Sequence, residues 1–272
     1  HPMWLEMQGV NAVHVPFNED GGGMPRLEDF EHALTARTRA IAIITPNNPT
    51  GAVYPAALLA DLYELACPRG IALVVDETYR DFLADEGPAH DLFSRAHWED
   101  NLVQLYSFSK AYSLPGYRVG AVICGATLRA ELLKIQDCVA ICAPRIGQQA
   151  ALFGLTHLQS WCHDKRRLMH ERLEALRRAF AEPGMHYELI CSGAYFAYVR
   201  HPFADEPAVD VARRLADDHN ILCLPGSMFG PSQEGYLRFA FANLEIEETA
   251  TLVERLRASQ RRTSAHPAKA SS

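Results

Sequence analysis

No run of about 18 consecutive apolar residues occurs in this chain, although 48 % of its 272 residues are hydrophobic. A membrane-spanning helix is therefore not expected. Metal-binding spacing is missing as well. The twelve histidines include no H-x-x-x-H or H-E-x-x-H pair that would set two imidazoles on one helical face. Seven cysteines (Cys67, Cys124, Cys138, Cys142, Cys162, Cys191 and Cys223) form no C-x-x-C motif and are odd in number. They read as reduced core thiols, and cytoplasmic residence follows as an expectation. No basic block interrupts a net charge of −7, which argues against nucleic acid or an anionic membrane as partner. The opening residues His1-Pro2-Met3-Trp4 lack the basic and apolar regions of a secretory signal. They start in mid-pattern without Met, as expected of a chain given without its N-terminal part. What is present is enough apolar material for more than one core, and the expected partner is a small molecule.

Short β-rich runs alternate with amphipathic stretches through the first half. Residues Ala12–Pro16, Ala40–Thr45, Ile71–Val75, Leu102–Tyr106 and Val119–Cys124 read as buried strands, and Leu27–Ala36 and Ala56–Cys67 as helices. Strands separated by helices predict an α/β domain with a mostly parallel sheet covered on both faces. Ligand chemistry is then expected at the carboxyl ends of the strands. Helical spacing over His163–Phe180 predicts a helix linking two domains. Strands at Tyr187–Ile190, Ala194–Val199 and Tyr236–Phe241, with helices at Ala208–His219 and Ile246–Ala258, predict a smaller α+β domain. The expected division is 1–162, 163–260 and a disordered polar tail at 261–272.

The segment Ser107-Phe108-Ser109-Lys110-Ala111-Tyr112-Ser113-Leu114-Pro115-Gly116-Tyr117-Arg118-Val119-Gly120 follows a predicted buried strand directly. A lysine leaving an apolar run is desolvated, which disfavours its ammonium form and suits imine formation with an aldehyde. A solvated surface lysine is the ordinary reading of one such residue alone. Upstream, Val74-Val75-Asp76-Glu77-Thr78-Tyr79 puts an acid at a strand end and a phenol three residues on, a pattern that by itself usually means a capped helix. Thr45-Pro46-Asn47-Asn48-Pro49-Thr50-Gly51 is a turn in any protein. Gly235-Tyr236-Leu237-Arg238-Phe239-Ala240-Phe241 sets one arginine in an apolar strand, where it needs an anion or a structural salt bridge.

Taken together these segments resemble the class I/II pyridoxal-phosphate (PLP) dependent aminotransferases of fold type I. The 107–120 segment is similar to their Schiff-base signature, S-x-S-K-x(5)-G-x-R-x-G. The resemblance implies that Lys110 carries the cofactor and that Ser107, Ser109 and Arg118 hold its phosphate, for which hydroxyls and a guanidinium are suited. It implies that Asp76 pairs with the pyridine nitrogen and Tyr79 with the phenolic oxygen. The N-P-T-G loop makes Asn48 a further partner of that oxygen and of the substrate carboxylate, with a cis bond expected at Pro49. Pro2-Met3-Trp4 resembles the family's P-x-aromatic segment, which makes Trp4 a candidate to stack on the cofactor. Arg238, following Pro225-Gly226-Ser227-Met228-Phe229-Gly230, is then the residue for the substrate α-carboxylate. Tyr112, Tyr195 and Phe196 are read as pocket lining, and Arg145 as a surface residue at a helix start.

The implied activity is transfer of an amino group from an L-amino acid to a 2-oxo acid, in ping-pong order, by a homodimer. The resemblance also implies a preceding segment on the order of a hundred residues, given the ordinary size of two-domain chains, carrying an arm, a phosphate-binding helix terminus and a tyrosine for the partner's site. None of these is among the 272 residues. Three alternatives stay open: a PLP-dependent C–S β-lyase, a PLP-binding sensor domain and an inactive fragment. The sensor reading would need a DNA-binding helix-turn-helix, for which no basic pattern is present.

Overall fold

Four apolar segments, each ended by turn residues, build the first sheet. In the computed structural model, which describes residues 1–84 and 87–261, these are Ala40–Ile44 (β1), Ala72–Asp76 (β2), Leu102–Ser107 (β3) and Gly120–Ile123 (β4), in the order β1-β2-β3-β4. The β1–β2 and β2–β3 pairs are parallel and β3–β4 is antiparallel. Parallel pairing needs a crossover, usually helical. Between β3 and β4 there is only a 3-10 turn at Pro115–Tyr117, and the chain comes straight back.

Helix α1 (Pro2–Met7) opens the chain and α2 (Leu27–Ala33) precedes β1. The next helix, α3 (Ala56–Ala66), buries Leu59, Leu62, Tyr63 and Ala66, the i, i+3, i+4, i+7 stripe of an amphipathic helix. That stripe packs with Ile41, Ile43, Leu73, Val75 and Leu102 of the sheet. Full burial of one such leucine contributes about 1.5–3 kcal/mol. A short α4 (Trp98–Asn101) leads into β3, and α5 (Ala126–Val139) and α6 (Arg145–His157) follow β4. Helix α7 (Gln159–Phe180) is 22 residues long, about 33 Å at 1.5 Å per residue.

Beyond it lie β5 (Glu188–Gly193), β6 (Phe196–Arg200), α8 (Ala208–His219), β7 (Leu224–Pro225), β8 (Tyr236–Ala240) and α9 (Thr249–Gln260). Their strands form an antiparallel sheet in the order β5-β6-β8-β7. Ala197, Val199, Val211, Leu215, Leu237 and Leu256 fill its core together with Leu176 of α7. The same cluster takes in Tyr79, Phe82 and Ala111 from the loops after β2 and β3. Burial of those three side chains is what seats the strand ends of the first sheet against the second.

The α/β class and the α+β second sheet agree with the sequence expectations. Several details were not expected. Ala12–Pro16 joins no ladder, because no strand among the described residues lies beside it, and Val13 is exposed. Helix α2 ends at Ala33, three residues early, where Leu34 turns to extended backbone. Helix α5 buries none of its residues, so Leu133, Ile135 and Val139 face outward. The tail expected at 261–272 lies, from 262 on, outside the described residues. Among those that are described, no helix is long and apolar enough to cross a membrane.

Candidate active site

Asp76 is the last residue of β2, and the alternation of the strand buries Leu73 and Val75 on the other side. Its Oδ1 accepts from the Thr78 amide at 3.0 Å and the Thr78 hydroxyl at 2.6 Å. Its Oδ2 meets the His1 imidazole Nε2 at 2.9 Å. Burial pushes the carboxyl pKa up, but the bonds from His1 and Thr78 together outweigh it and hold the group below its ordinary value. In turn the bond to Asp76 raises the His1 pKa against the opposing effect of burial. An ionised carboxylate at the strand end thus grips the nitrogen of an aromatic ring.

Tyr79 is buried and contacts the rings of Tyr195 and Phe196 edge-on, at 5.5 and 5.4 Å. Burial pushes its pKa up to about 12, with partial opposition from the nearby Arg238 charge. The phenol is therefore a proton donor at neutral pH. Lys110, half-buried, carries its Nζ 5.5 Å from the centre of the Tyr79 ring and 6.0 Å from that of Tyr195, within the range at which a ring face attracts a cation.

Ser107 ends β3, and its hydroxyl accepts from the Ser109 amide at 3.2 Å. The β3–β4 ladder pairs Ser107 with Gly120, and the Phe108 amide donates to Val119 O at 3.3 Å. Arg118 is exposed, sits in the left-handed region at φ 50°, and donates from Nη1 to Pro115 O at 3.0 Å. The two serines and the arginine of the signature thus lie in one hairpin, at the end of β3 and just before β4, with Arg118 exposed.

The loop after β1 is built by Asn47, whose Oδ1 accepts from the Thr50 amide at 3.1 Å and whose carbonyl accepts from the Gly51 amide at 2.8 Å. The Asn48–Pro49 peptide is cis, as expected, and so is Thr45–Pro46. Asn48 Oδ1 accepts from Arg238 Nη1 at 2.8 Å, across 190 residues of sequence. The Arg238 guanidinium lies between the rings of Phe196 and Phe229, 4.7 and 4.9 Å from their centres. Burial pushes its pKa down, and its Nε is buried without a hydrogen-bond partner. A half-buried guanidinium with a free donor, and with no carboxylate on it among the described residues, is prepared for an anion.

Gly51 has φ 77°, and a Cβ there would run into the backbone of Gly193, Ser192 and Phe196. Gly51→Ala therefore combines a strained conformation with a backbone clash. We expect a loss of about 3 kcal/mol or more, seen as a lower denaturation midpoint at unchanged m-value.

Other sequence readings are placed differently. Trp4 stands on α1 with 68 % of its surface exposed, and it is His1, three residues earlier, that reaches Asp76. Phe196 is buried beneath Arg238, and Tyr112 packs on Phe108 and against Gly154. Of the three residues read as pocket lining, Tyr195 is the one beside Lys110 Nζ. Arg145 is exposed at the start of α6, as expected. The Thr78 hydroxyl was legible as the local partner of an acid two residues before it; His1 carried no signal. Two cavities, of about 580 Å³ along α7 and about 430 Å³ beside Glu77, His90 and Phe93, are lined by none of the expected site residues.

Comparison with known proteins gives the same picture along the chain. The sequence model of aminotransferase class I and II matches residues 1–256. The putative aminotransferase YugH of Bacillus subtilis is 30 % identical over 260 residues, covering 93 % of this chain and 65 % of that protein. The aspartate aminotransferase of Thermotoga maritima is 29 % identical over 251 residues, covering 91 % and 62 %. The structure of Thermus thermophilus aspartate aminotransferase with maleate superposes with a TM-score of 0.86 at 25 % identity, covering 95 % of this chain and 66 % of that one. The chain spans a little under two thirds of the length of the curated relatives it matches.

Proposed function

The chain belongs to the class I and II aminotransferase family, and on that premise we propose that it moves the amino group of an L-amino acid to a 2-oxo acid in ping-pong order, with pyridoxal phosphate as cofactor. The observation that carries this reading is the convergence of Lys110, Tyr79, Asn48 and Arg238, from four separate segments, on one cluster.

The residues fit the cofactor. Asp76 already holds the nitrogen of an aromatic ring, and the His1 imidazole stands in there for a pyridinium. When bound, pyridoxal phosphate supplies an aldehyde for amines and a ring that withdraws electrons from the substrate Cα. Lys110 would hold it covalently, Tyr79 and the Asn48 amide would donate to its phenolic oxygen, and Ser107, Ser109 and Arg118 would hold its phosphate. Asn48 suits that double duty, since its Oδ1 is taken by Arg238 and its NH₂ group is left to donate. Arg238 binds the substrate carboxylate through donors that Asn48 does not use. Once released, the Lys110 amine takes the proton from the substrate Cα as general base.

We take 1–162 and 163–260 as the two domains, a division supported by the two separate sheets. Assembly as a homodimer is supported by the outward-facing apolar residues of α5 and α6, among them Ile135, Val139 and Phe153. Cytoplasmic residence is supported by seven free cysteines.

The test is an absorbance spectrum of the chain with added pyridoxal phosphate. A visible band that is discharged by amino acids, with a 2-oxo acid formed, is expected; no band at saturating cofactor would overturn the proposal. Arg238→Gln should raise KM for the amino acid about 100-fold while changing kcat far less, since removing one partner of a buried charge pair costs about 2–5 kcal/mol. An unchanged KM would remove Arg238 from the carboxylate site.

A further inference from the structure

The backbone ladder between β2 and β3 stops where the functional residues begin. Its last rung pairs Asp76 with Leu105, closed by the Glu77 amide donating to Leu105 O at 2.9 Å. Beyond it β3 runs on through Tyr106 and Ser107, paired with Ala121 and Gly120 of β4 on the other edge. On the β2 side the chain turns away through Tyr79 into the 3-10 turn Arg80–Phe82. The segment leading to Lys110 is therefore held by backbone bonds along one edge only.

Gln104 of β3 donates to the Glu77 carboxylate next to the last rung, and further out a second side-chain bond spans the opening. The Tyr106 hydroxyl donates to Asp81 Oδ2 at 2.6 Å, and both groups are partly buried. A hydroxyl on a carboxylate at that distance is charge-assisted and among the stronger hydrogen bonds of a protein. Burial, with the Asp81 charge adding to it, pushes the Tyr106 pKa far above its ordinary value, so the donor keeps its proton at any working pH. The Tyr106 ring is itself braced, edge-on against Phe108 at 5.1 Å, and Phe108 in turn lies 5.4 Å from Tyr112. Asp81 is followed by Phe82, which packs on Tyr195 at 4.8 Å.

We propose that Tyr106 and Asp81 are positioning residues: their hydrogen bond locks the strand end that carries Ser107, Ser109 and Lys110 to the one that carries Asp76 and Tyr79. Neither residue belongs to the motifs that mark the site. The 5.5 Å between Lys110 Nζ and the Tyr79 ring is a distance between these two segments. Displacement of a reacting group by about 1 Å can cost on the order of 100-fold in rate. The proposal rests on the cofactor reading above in so far as the locked residues hold pyridoxal phosphate.

The experiment compares the unmodified chain with Tyr106→Phe, Asp81→Ala, the double variant and Asp81→Asn, which keeps an acceptor for the phenol. Cofactor affinity is read by titrating the visible absorbance, and amide hydrogen exchange is followed without cofactor over 77–83 and 107–113. Each single variant should bind pyridoxal phosphate about tenfold more weakly, the equivalent of about 1.4 kcal/mol. The double variant should be no weaker than the weaker single one, because both remove the same bond. Asp81→Asn, which keeps the acceptor without the charge, should recover part of the loss. Exchange should quicken in both segments while β6 and β8 stay protected. Additive losses, an Asp81→Asn variant no better than Asp81→Ala, or unchanged exchange in the two segments would each overturn the lock. If the unmodified chain binds no cofactor, the functional reading fails while the exchange comparison still decides the lock. If all variants bind like the unmodified chain, the lock fails and the functional reading stands.

Discussion

Replacing Lys110 with alanine is expected to abolish the visible absorbance of the bound cofactor and to lower turnover by about 10,000-fold or more. On the proposed function two roles would be lost at one atom: Nζ would hold the cofactor covalently, and the same amine would take the proton from the substrate Cα. A positioned acid–base group alone is worth about 100- to 10,000-fold, and loss of the covalent nucleophile adds to that. Stability should change little. Lys110 is half-buried, and its Nζ makes only ring contacts at 5.5 and 6.0 Å, each worth about 0.5–1 kcal/mol at an exposed site. The decisive measurement is a single-turnover assay on folded, cofactor-soaked Lys110→Ala, with added methylamine as a replacement base. Turnover at the level of the unmodified chain would remove Lys110 from the chemistry, whereas partial recovery with methylamine would assign the proton step to its amine.

Asp76→Asn is expected to have the next largest effect, a loss on the order of 1,000-fold in kcat/KM, with a fold that stays intact. An asparagine Oδ1 can still accept from the Thr78 amide and hydroxyl, which now hold Asp76 Oδ1 at 3.0 and 2.6 Å. What disappears is the negative charge at Oδ2, the atom that grips the His1 ring nitrogen. Breaking a partly buried, hydrogen-bonded charge pair costs about 2–5 kcal/mol, and it is this charge that would keep a pyridine nitrogen protonated. The structure offers a readout that needs no cofactor. Because Asp76 raises the His1 pKa, the His1 imidazole should titrate lower in Asp76→Asn, as followed by proton NMR. An unshifted His1 titration would mean that the 2.9 Å contact does not persist in solution. An unimpaired kcat/KM would take Asp76 out of the cofactor site.

Some of this was legible from the residues alone because the signal is local. The signature at 107–120 puts two serines, a lysine and an arginine at fixed offsets, and the hairpin from β3 into β4 pairs its first and last residues, Ser107 and Gly120. Asp76 and Tyr79 lie on one turn after a buried strand, and Thr78 completes the acid's local bonding. The helical stripe of α3 and the whole of α8 followed from apolar spacing, since burial of one face is the chief support of a helix in water. The candidate stacking residue Trp4 rested on a three-residue likeness at the start of the chain. Three residues do not determine which side chain of a short helix faces inward, and it is His1 that the packing brings to Asp76.

By itself, then, the sequence determined the α/β class, the family, and the candidates for the residues that carry the chemistry, because each is written in patterns of a few to a dozen neighbours. The tertiary structure decided the rest. It chose the antiparallel direction of β4 and left Ala12–Pro16 without a ladder, since a strand is made by its neighbour and not by its own residues. It brought Arg238 to Asn48 across 190 positions and Tyr106 to Asp81 across 25. Contacts at such separation are set by how two sheets share a core, through Tyr79, Phe82 and Ala111, and that depends on the packing of the whole chain.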